Sequence, residues 1–195
     1  MYNDTTITPT SKHYLSLDKP LKQNYINQGL ITLKTKSLIT KTYLYTTSSI
    51  NTLTAYKRFC GYEIYQNNEF LCYLRRNLIG SQYISKDIKV NFETSFFGRK
   101  KPRSFIVEHK FNKFINKEPF YNHETNSYSL NFNGRVTIPS VKNFQLVHPS
   151  DKTYLVLTFG KIGSDKYVMD YKFPFSAVVA FQVCLCAIDG KYFCD

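Results

Sequence analysis

Apolar and polar residues alternate along much of the chain after residue 28, which is the pattern of β-strands with one buried face. The clearest alternation covers residues 31–33, 88–92 and 128–132. Further short apolar runs, separated by Gly, Asn, Asp, Ser or Pro, lie at residues 43–45, 70–74, 105–107, 144–147, 154–159 and 167–171. So many short strands predict a mainly β fold, built as a barrel or a sandwich.

One segment near the end of the chain departs from this pattern. Residues 176–188 are apolar except for Ser176 and Gln182, and these two residues do not share a face of a helix. The β-branched residues also permit a buried strand, but buried strands usually run only about four to eight residues. The segment therefore predicts a helix between Pro174 and Gly190 that is buried on all sides by the strands.

The first 28 residues form a different region, rich in Thr, Ser, Asn and Lys, with Pro9 and Pro20 and no sustained apolar period. We predict a flexible tail over residues 1–28 and, in a chain of 195 residues, one folded domain over residues 29–195. No stretch is apolar over the roughly 18 residues that span a bilayer, and the start does not follow the plan of a signal peptide. With an odd number of cysteines, five, we expect a reduced, cytoplasmic chain whose membrane contact is peripheral.

The positive net charge of the chain favours anionic binding partners. The chain has 26 Lys and Arg against 14 Asp and Glu, a net charge of +12. A hydrophobic content of 43% and an aromatic content of 16% exclude general disorder, so this charge belongs to a folded surface. We expect the surface to attract phosphoinositide headgroups, acidic membranes or nucleic acid.

Signatures of catalysis and metal binding are weak. The chain has no CxxC motif, Cys184 and Cys186 cannot converge on one metal from a helix, and the four histidines are not at ligand spacing. Glu108-His109 is a candidate acid/base pair, and residues 123–124 are another, but the latter fall in a predicted polar turn. Glycine loops for phosphates and nucleophile motifs are also missing. We predict no enzyme activity, no catalytic residue, no metal and no cofactor.

Basic residues cluster at the ends of predicted strands. Lys57 and Arg58 follow one strand, Arg75 and Arg76 end another, and Arg103 closes a turn rich in Lys and Arg. Arginine has a planar fork of donors that binds phosphate oxygens bidentately. If these clusters converge, they form a phosphate-binding pocket on a barrel wall, whereas separately each is an ordinary solvated surface.

The last third of the chain carries the motifs of a known family. These motifs are Asn131-Phe132-Asn133-Gly134-Arg135-Val136-Thr137, Ser140-Val141-Lys142-Asn143-Phe144-Gln145-Leu146, Phe159-Gly160, Met169-Asp170-Tyr171, Pro174 and Ala180-Phe181. They resemble the C-terminal signature of the Tubby and Tubby-like protein family. Upstream, residues 74–80 and 93–103 are similar to two further segments of that family. The resemblance extends over roughly residues 29–195 and is densest after residue 121.

The resemblance implies a closed antiparallel β-barrel around a central hydrophobic C-terminal α-helix, in agreement with the pattern of apolar residues. It also implies a non-enzymatic module that binds phosphatidylinositol 4,5-bisphosphate at the cytoplasmic face of the plasma membrane or the ciliary membrane, with protein cargo as a further partner. By resemblance, Arg75 takes the place of a headgroup-binding arginine and Arg103 that of a second one. A closed barrel has no intrinsic need of a partner subunit, so we expect a monomer.

Two residues depart from the family pattern. Tyr73 and Gly61 stand where the resemblance implies a lysine and an asparagine of the headgroup pocket. Losing the lysine removes a donor from the strand face that carries Arg75, because residues two apart on a strand point the same way. The headgroup preference is then altered, or Lys57, Arg58 or Arg76 compensates; these three residues complete the predicted site.

Two other classes of function remain open. A nucleic-acid-binding or transcription-linked protein could use the same basic surface. Lipid is favoured because the aromatic residues are expected to face the core and not to form an exposed platform for stacking bases. A phosphodiesterase requires convergent carboxylates or histidines, which the pattern does not supply.

Overall fold

The computed structural model describes residues 19–20, 25–35, 40–47, 52–93, 104–124 and 126–189. Within these ranges the chain forms fourteen strands followed by one helix. The elements are β1 (Ile26–Thr35), β2 (Lys41–Thr46), β3 (Leu53–Arg58), β4 (Gly61–Gln66), β5 (Glu69–Arg76), β6 (Gln82–Ile84), β7 (Ile88–Phe92), β8 (Phe105–His109), β9 (Asn112–Asn116), β10 (Phe120–Asn122), β11 (Ser127–Ser129), β12 (Phe144–His148), β13 (Asp151–Lys161), β14 (Lys166–Lys172) and α1 (Ala177–Ile188).

Twelve of the strands in these ranges close into a barrel, in which every neighbouring pair is antiparallel. Their order around the wall is β1-β14-β13-β12-β9-β8-β7-β6-β5-β4-β3-β2, and β10 pairs only with β11. The last strand of the barrel pairs with the first, with Gly29 opposite Met169. The predicted mainly β fold is confirmed, and it is a closed barrel and not a sandwich.

The helix α1 fills the barrel, and every one of its residues is buried. Ser176 is its N-cap, because the Oγ of Ser176 accepts a hydrogen bond from the backbone N–H of Val179 at 3.2 Å. The ring of Phe181 packs on the ring of Tyr45, with 6.1 Å between the centroids. The helix ends at Ile188, so its predicted position is confirmed at both ends. Burying one Val, Leu or Phe side chain contributes about 1.5–3 kcal/mol, so α1 and the barrel wall stabilise each other strongly.

The direction of α1 distinguishes the two ends of the barrel. At the entry end the helix begins, and the ring of Phe175 packs on His109 at the end of β8. At the exit end the helix finishes, and Asp189 contacts Lys57 at the end of β3. The β3–β4 and β5–β6 connections therefore lie at the exit end, as do the end of β7 and the start of β8, and the β8–β9 turn lies at the entry end.

Residues 130–143 form an irregular segment on the outer face of β13 and β14, and the strand predicted over residues 128–132 is wrong beyond Ser129. Asn133 and Gly134 both have positive φ, at 49° and 74°, and turn the chain back. Farther along, the backbone N–H of Ile138 donates to the oxygen of Lys161 at 3.1 Å. The segment packs as a cover on the barrel instead of pairing as a strand.

The barrel begins at Ile26, inside the last three residues of the predicted tail. Residues 1–18 and 21–24 lie outside the described ranges, so the flexible tail stays a prediction. Across the described part of the chain, no helix has the length and apolar character needed to cross a bilayer.

Candidate functional site

Four of the five predicted site residues come together at the exit end, where Lys57 and Arg58 end β3 and Arg75 and Arg76 end β5. Because successive side chains of a strand point to opposite faces, each pair is divided between the two sides of the wall. Lys57 and Arg76 point inward to the end of α1, whereas Arg58 and Arg75 lie on the outer surface.

The fifth predicted residue, Arg103, lies outside the described residues. The described residues that flank its segment are Glu93 and Ser104. The backbone N–H of Glu93 donates to the oxygen of Ser104 at 2.9 Å, next to the ends of β7 and β8. Glu93 and Ser104 therefore lie at the exit end, and β7 is two strands away from β5 in the wall.

The inward pair is bound to the carboxylate that follows α1. The Oδ2 atom of Asp189 accepts hydrogen bonds from Lys57 Nζ at 2.5 Å and from Tyr83 Oη at 2.9 Å, and it lies 3.6 Å from Nη1 of Arg76. Burial lowers the pKa of Lys57 below its ordinary value, and the bond to Asp189 offsets part of that effect. These two cations balance a buried carboxylate.

A third cation completes this end of the helix. Lys142 Nζ donates to the backbone oxygen of Ile188 at 3.0 Å. The last carbonyl groups of a helix lack partners within it and carry partial negative charge, which a nearby cation stabilises. Nη2 of Arg76 also donates to the backbone oxygen of Phe59 at 3.2 Å. The inward cations are thus engaged in closing the exit end.

The outward pair lies in one row across three strands, in which Arg58 is opposite Gly61 and Gly61 is opposite Arg75. Two strand spacings separate the arginines by about 10 Å between Cα atoms. Arg58 forms an ion pair with Glu63, with 2.6 Å between Nη2 and Oε2. Arg75 is exposed and has no hydrogen bond or ion pair within the described ranges.

Gly61 is buried between these two arginines, and its backbone conformation excludes other residues. Its φ of +131° is a conformation that favours glycine, and a β-carbon on it would collide with the backbone oxygen of Leu74. The asparagine implied by the family resemblance does not fit this backbone. The row therefore has no side chain between its two arginines.

A ladder of aromatic rings runs beside this row on the outer surface of β3, β4 and β5. It consists of Tyr56, Tyr65, Phe70 and Tyr73, with 5.4, 5.6 and 4.8 Å between successive ring centroids. Phe70 and Tyr73 are half-exposed and border a groove of about 360 Å³ that also touches Arg75. The expectation that aromatic residues face only the core is wrong at these positions. Tyr56, Tyr65 and Tyr73 have outward parity on their strands. Phe70 joins them because a β-bulge between Phe70 and Cys72 shifts the register of β5 against β4, which the alternation in the sequence does not reveal.

Glu108, His109 and His123, from the two candidate acid/base pairs, have other partners in the structure. Glu108 and His109 occupy opposite faces of β8: Glu108 forms an ion pair with Lys113 at 3.8 Å, while Nδ1 of His109 is 2.8 Å from the backbone oxygen of Asp87. His123 lies in the predicted turn and packs against a tyrosine ring. Within the described ranges, no three His, Cys, Asp or Glu residues are grouped so that they could hold a metal ion.

The family motifs of the last third hold the irregular segment on the barrel. Arg135 and Asp170 form a bidentate ion pair, and Gly160 on β13 lies directly under Val136. The side-chain amide of Gln145 donates to the backbone oxygen of Asn131 at 3.0 Å. These motifs therefore describe a packing arrangement, and the cationic row is a separate feature.

Comparison with known proteins identifies relatives over the same region. The Tub family profile matches residues 89–190, just over half of the chain. The chain is 54% identical over 80 residues to Protein king tubby of Drosophila sechellia, of Drosophila yakuba and of Drosophila simulans. Each match covers 41% of this chain and only 18% of the relative. Because the profile matches more than half of the chain, the chain belongs to the Tub family.

Proposed function

We propose that this protein is a non-enzymatic, monomeric module that binds phosphatidylinositol 4,5-bisphosphate in membranes. The observation that carries the proposal is Arg75, an exposed arginine without a partner within the described ranges, next to Gly61, which has no side chain to cover it. Guanidinium groups bind phosphate oxygens bidentately, and the net charge of +12 attracts anionic surfaces over a longer range.

The five cations have different parts in this proposal. Arg75 and Arg103 bind the ring phosphates, and Arg58 adds a weaker contact because Glu63 already occupies it. Lys57 and Arg76 contribute to the positive field from inside the barrel end, since both are engaged with Asp189. Each cation near an anionic surface contributes about 1 kcal/mol to membrane binding.

The proposed location is the cytoplasmic face of the plasma membrane or the ciliary membrane, where phosphoinositides provide the anionic surface. Membership of the Tub family supports this extension. In this role the domain acts as a membrane-tethered adaptor for trafficking or signalling, and protein cargo is its second partner. The binding itself requires no cofactor.

The test is sedimentation with phosphatidylcholine vesicles that contain or lack the bisphosphate. We expect Arg75→Ala with Arg103→Ala to abolish binding to the bisphosphate vesicles, and soluble inositol trisphosphate to displace the unaltered protein. Lys110→Asn with Lys152→Ala removes the same charge at the entry end and should retain binding; asparagine tolerates the positive φ of Lys110. Unchanged sedimentation of the arginine variant would overturn the assignment of these two residues.

The aromatic ladder supports a second candidate, binding of single-stranded nucleic acid. Exposed rings such as Phe70 and Tyr73 beside Arg75 are the combination on which bases stack. This candidate predicts salt-dependent binding of oligonucleotides that vesicles do not displace and that Phe70→Ala with Tyr73→Ala weakens. Displacement of oligonucleotide by bisphosphate vesicles would instead support the lipid function.

A further inference from the structure

Two neighbouring turns at the exit end expose large apolar side chains. Phe59, in the β3–β4 turn, is 84% exposed, while Leu78 and Ile79, in the β5–β6 turn, are 83% and 64% exposed. A single exposed apolar residue is ordinary, but a group of them marks an interaction surface. We call these three residues the apolar tips.

Backbone hydrogen bonds hold the two turns in place and join them to each other. The N–H of Arg76 donates to the oxygen of Cys60 at 2.9 Å, and Nη2 of Arg76 donates to the oxygen of Phe59. Within the second turn, the N–H of Asn77 donates to the oxygen of Gln82 at 3.0 Å. The apolar tips therefore project from an ordered frame, and their display does not depend on a conformational change.

The cations of the outer surface lie immediately behind the tips. Arg58 directly precedes Phe59, and Arg75 is three residues before Leu78. An anionic bilayer has the complementary arrangement, with lipid phosphates at its surface and an apolar boundary just below them. Separate projecting side chains suit a fluid bilayer, whereas a protein partner would need matching pockets for each tip.

We propose that Phe59, Leu78 and Ile79 insert into the interfacial region of an anionic phospholipid bilayer. The exit end then faces the membrane, and the outward arginines meet lipid phosphates. This proposal rests on the proposed function, since the headgroup contact of Arg75 brings the tips to the bilayer, but it assigns different residues and a different chemistry.

Tryptophan fluorescence gives a direct test, because the chain contains no tryptophan. Leu78→Trp places one reporter at a tip, and Phe111→Trp places a matched reporter on the fully exposed β8–β9 turn at the entry end. With vesicles of phosphatidylcholine, phosphatidylserine and the bisphosphate, we expect a blue shift, and quenching by lipids with brominated chains, for Leu78→Trp alone. Equal quenching of both reporters, or of neither, would overturn the proposal.

Serine substitutions measure the contribution of the tips to binding. We expect Phe59→Ser, Leu78→Ser and Ile79→Ser each to weaken binding to these vesicles by about tenfold, because burial of such a side chain is worth at least that factor. Binding of soluble inositol trisphosphate should not change, and Phe111→Ser is the matched control. All four residues are exposed, so folding should be unaffected.

The two proposals fail in distinguishable ways. If the serine variants bind vesicles normally while Arg75→Ala with Arg103→Ala does not, insertion is wrong and headgroup binding stands. If the unaltered protein does not bind inositol trisphosphate but the fluorescence of the Leu78→Trp variant still shifts to the blue with phosphatidylserine vesicles, insertion stands and bisphosphate recognition is wrong.

Discussion

Arg135 and Asp170 are joined by two parallel hydrogen bonds, each 2.7 Å long, between the irregular outer segment and β14. Nε of Arg135 donates to Oδ2 of Asp170, and Nη2 donates to Oδ1. This fork geometry is available to arginine and not to lysine, whose ammonium is a single point charge. The pair therefore fixes the orientation of residues 130–143 on the barrel as well as their position.

We expect this pair to have a measurable coupling energy. Arg135→Ala and Asp170→Ala should each destabilise the fold, and the double variant should lose about 1 kcal/mol less than the sum of the single losses. Urea unfolding of the four proteins measures this difference. Arg135→Lys should retain little of the coupling energy with Asp170, and full retention by lysine would show that charge alone is responsible.

Gly160 is required by its contact with Val136. A β-carbon on Gly160 would collide with the branched side chain of Val136, so Gly160→Ala should lower the free energy of unfolding by about 1–3 kcal/mol. Val136→Ala in the same chain should restore part of the loss, as thermal or urea unfolding will show. Gly163→Ala is the control, because there a β-carbon meets only Lys166 at an ordinary 3.4 Å.

Removing Asp189 alone should destabilise the exit end more than removing it together with its partner Lys57. Asp189→Ala leaves Lys57 and Arg76 without their carboxylate, and we expect a loss of about 2–3 kcal/mol in the free energy of unfolding. Lys57→Met with Asp189→Leu should cost less than Asp189→Ala, because it leaves one cation fewer in need of a partner. A neutral Asp189→Ala would contradict the structural role of this cluster.

Alkaline pH should unfold the protein because buried tyrosines resist ionisation. Burial raises the pKa of Tyr43 and of Tyr171 to about 12, and it raises the pKa values of Tyr45, Tyr62 and Tyr83 as well. Unfolded phenols ionise near pH 10, so above that pH the unfolded state releases protons that the folded state keeps. The contribution of these tyrosines to the free energy of unfolding is fully present below about pH 9. It falls as pH rises to 12, by about 1.4 kcal/mol per pH unit for each tyrosine.

Lys57 has the opposite effect on the free energy of unfolding. Because its pKa is lowered in the folded state, the folded state loses this proton at a lower pH than the unfolded state, and stability rises with pH up to the pKa of an unfolded lysine. It is one group against five tyrosines, so the net effect remains destabilising. Urea midpoints at increasing pH, followed together with tyrosinate absorbance, measure the outcome. Phenols that titrate near pH 10 without loss of structure would contradict it.

The strands were predictable where a buried face repeats every second residue. Ile88, Val90 and Phe92 all face the core, as their alternation predicts. The same alternation predicted a strand through Leu130 and Phe132 that does not form, because the turn at residues 133–134 directs that segment onto the outer wall. Period alone cannot distinguish pairing in a sheet from packing on top of one.

The grouping of the basic residues at strand ends was predictable, whereas their contacts were not. Strand parity separates Lys57 from Arg58, since Lys57 continues the inward series of Leu53 and Ala55. The partner of Lys57 could not be predicted, because Asp189 lies 132 residues away in the chain. Long-range closure of the barrel brings them together, and no local pattern carries that information.

The position of α1 in the sequence has a consequence for biosynthesis. Every barrel strand leaves the ribosome before the helix that fills the space between them. Until α1 emerges, inward residues such as Leu53 and Val90 have nothing to pack against, and β1 must wait for β14 before the ring can close. We expect the nascent barrel strands to need protection from aggregation until α1 has been synthesised, and the arrival of the last turns of α1 to commit the domain to the native state.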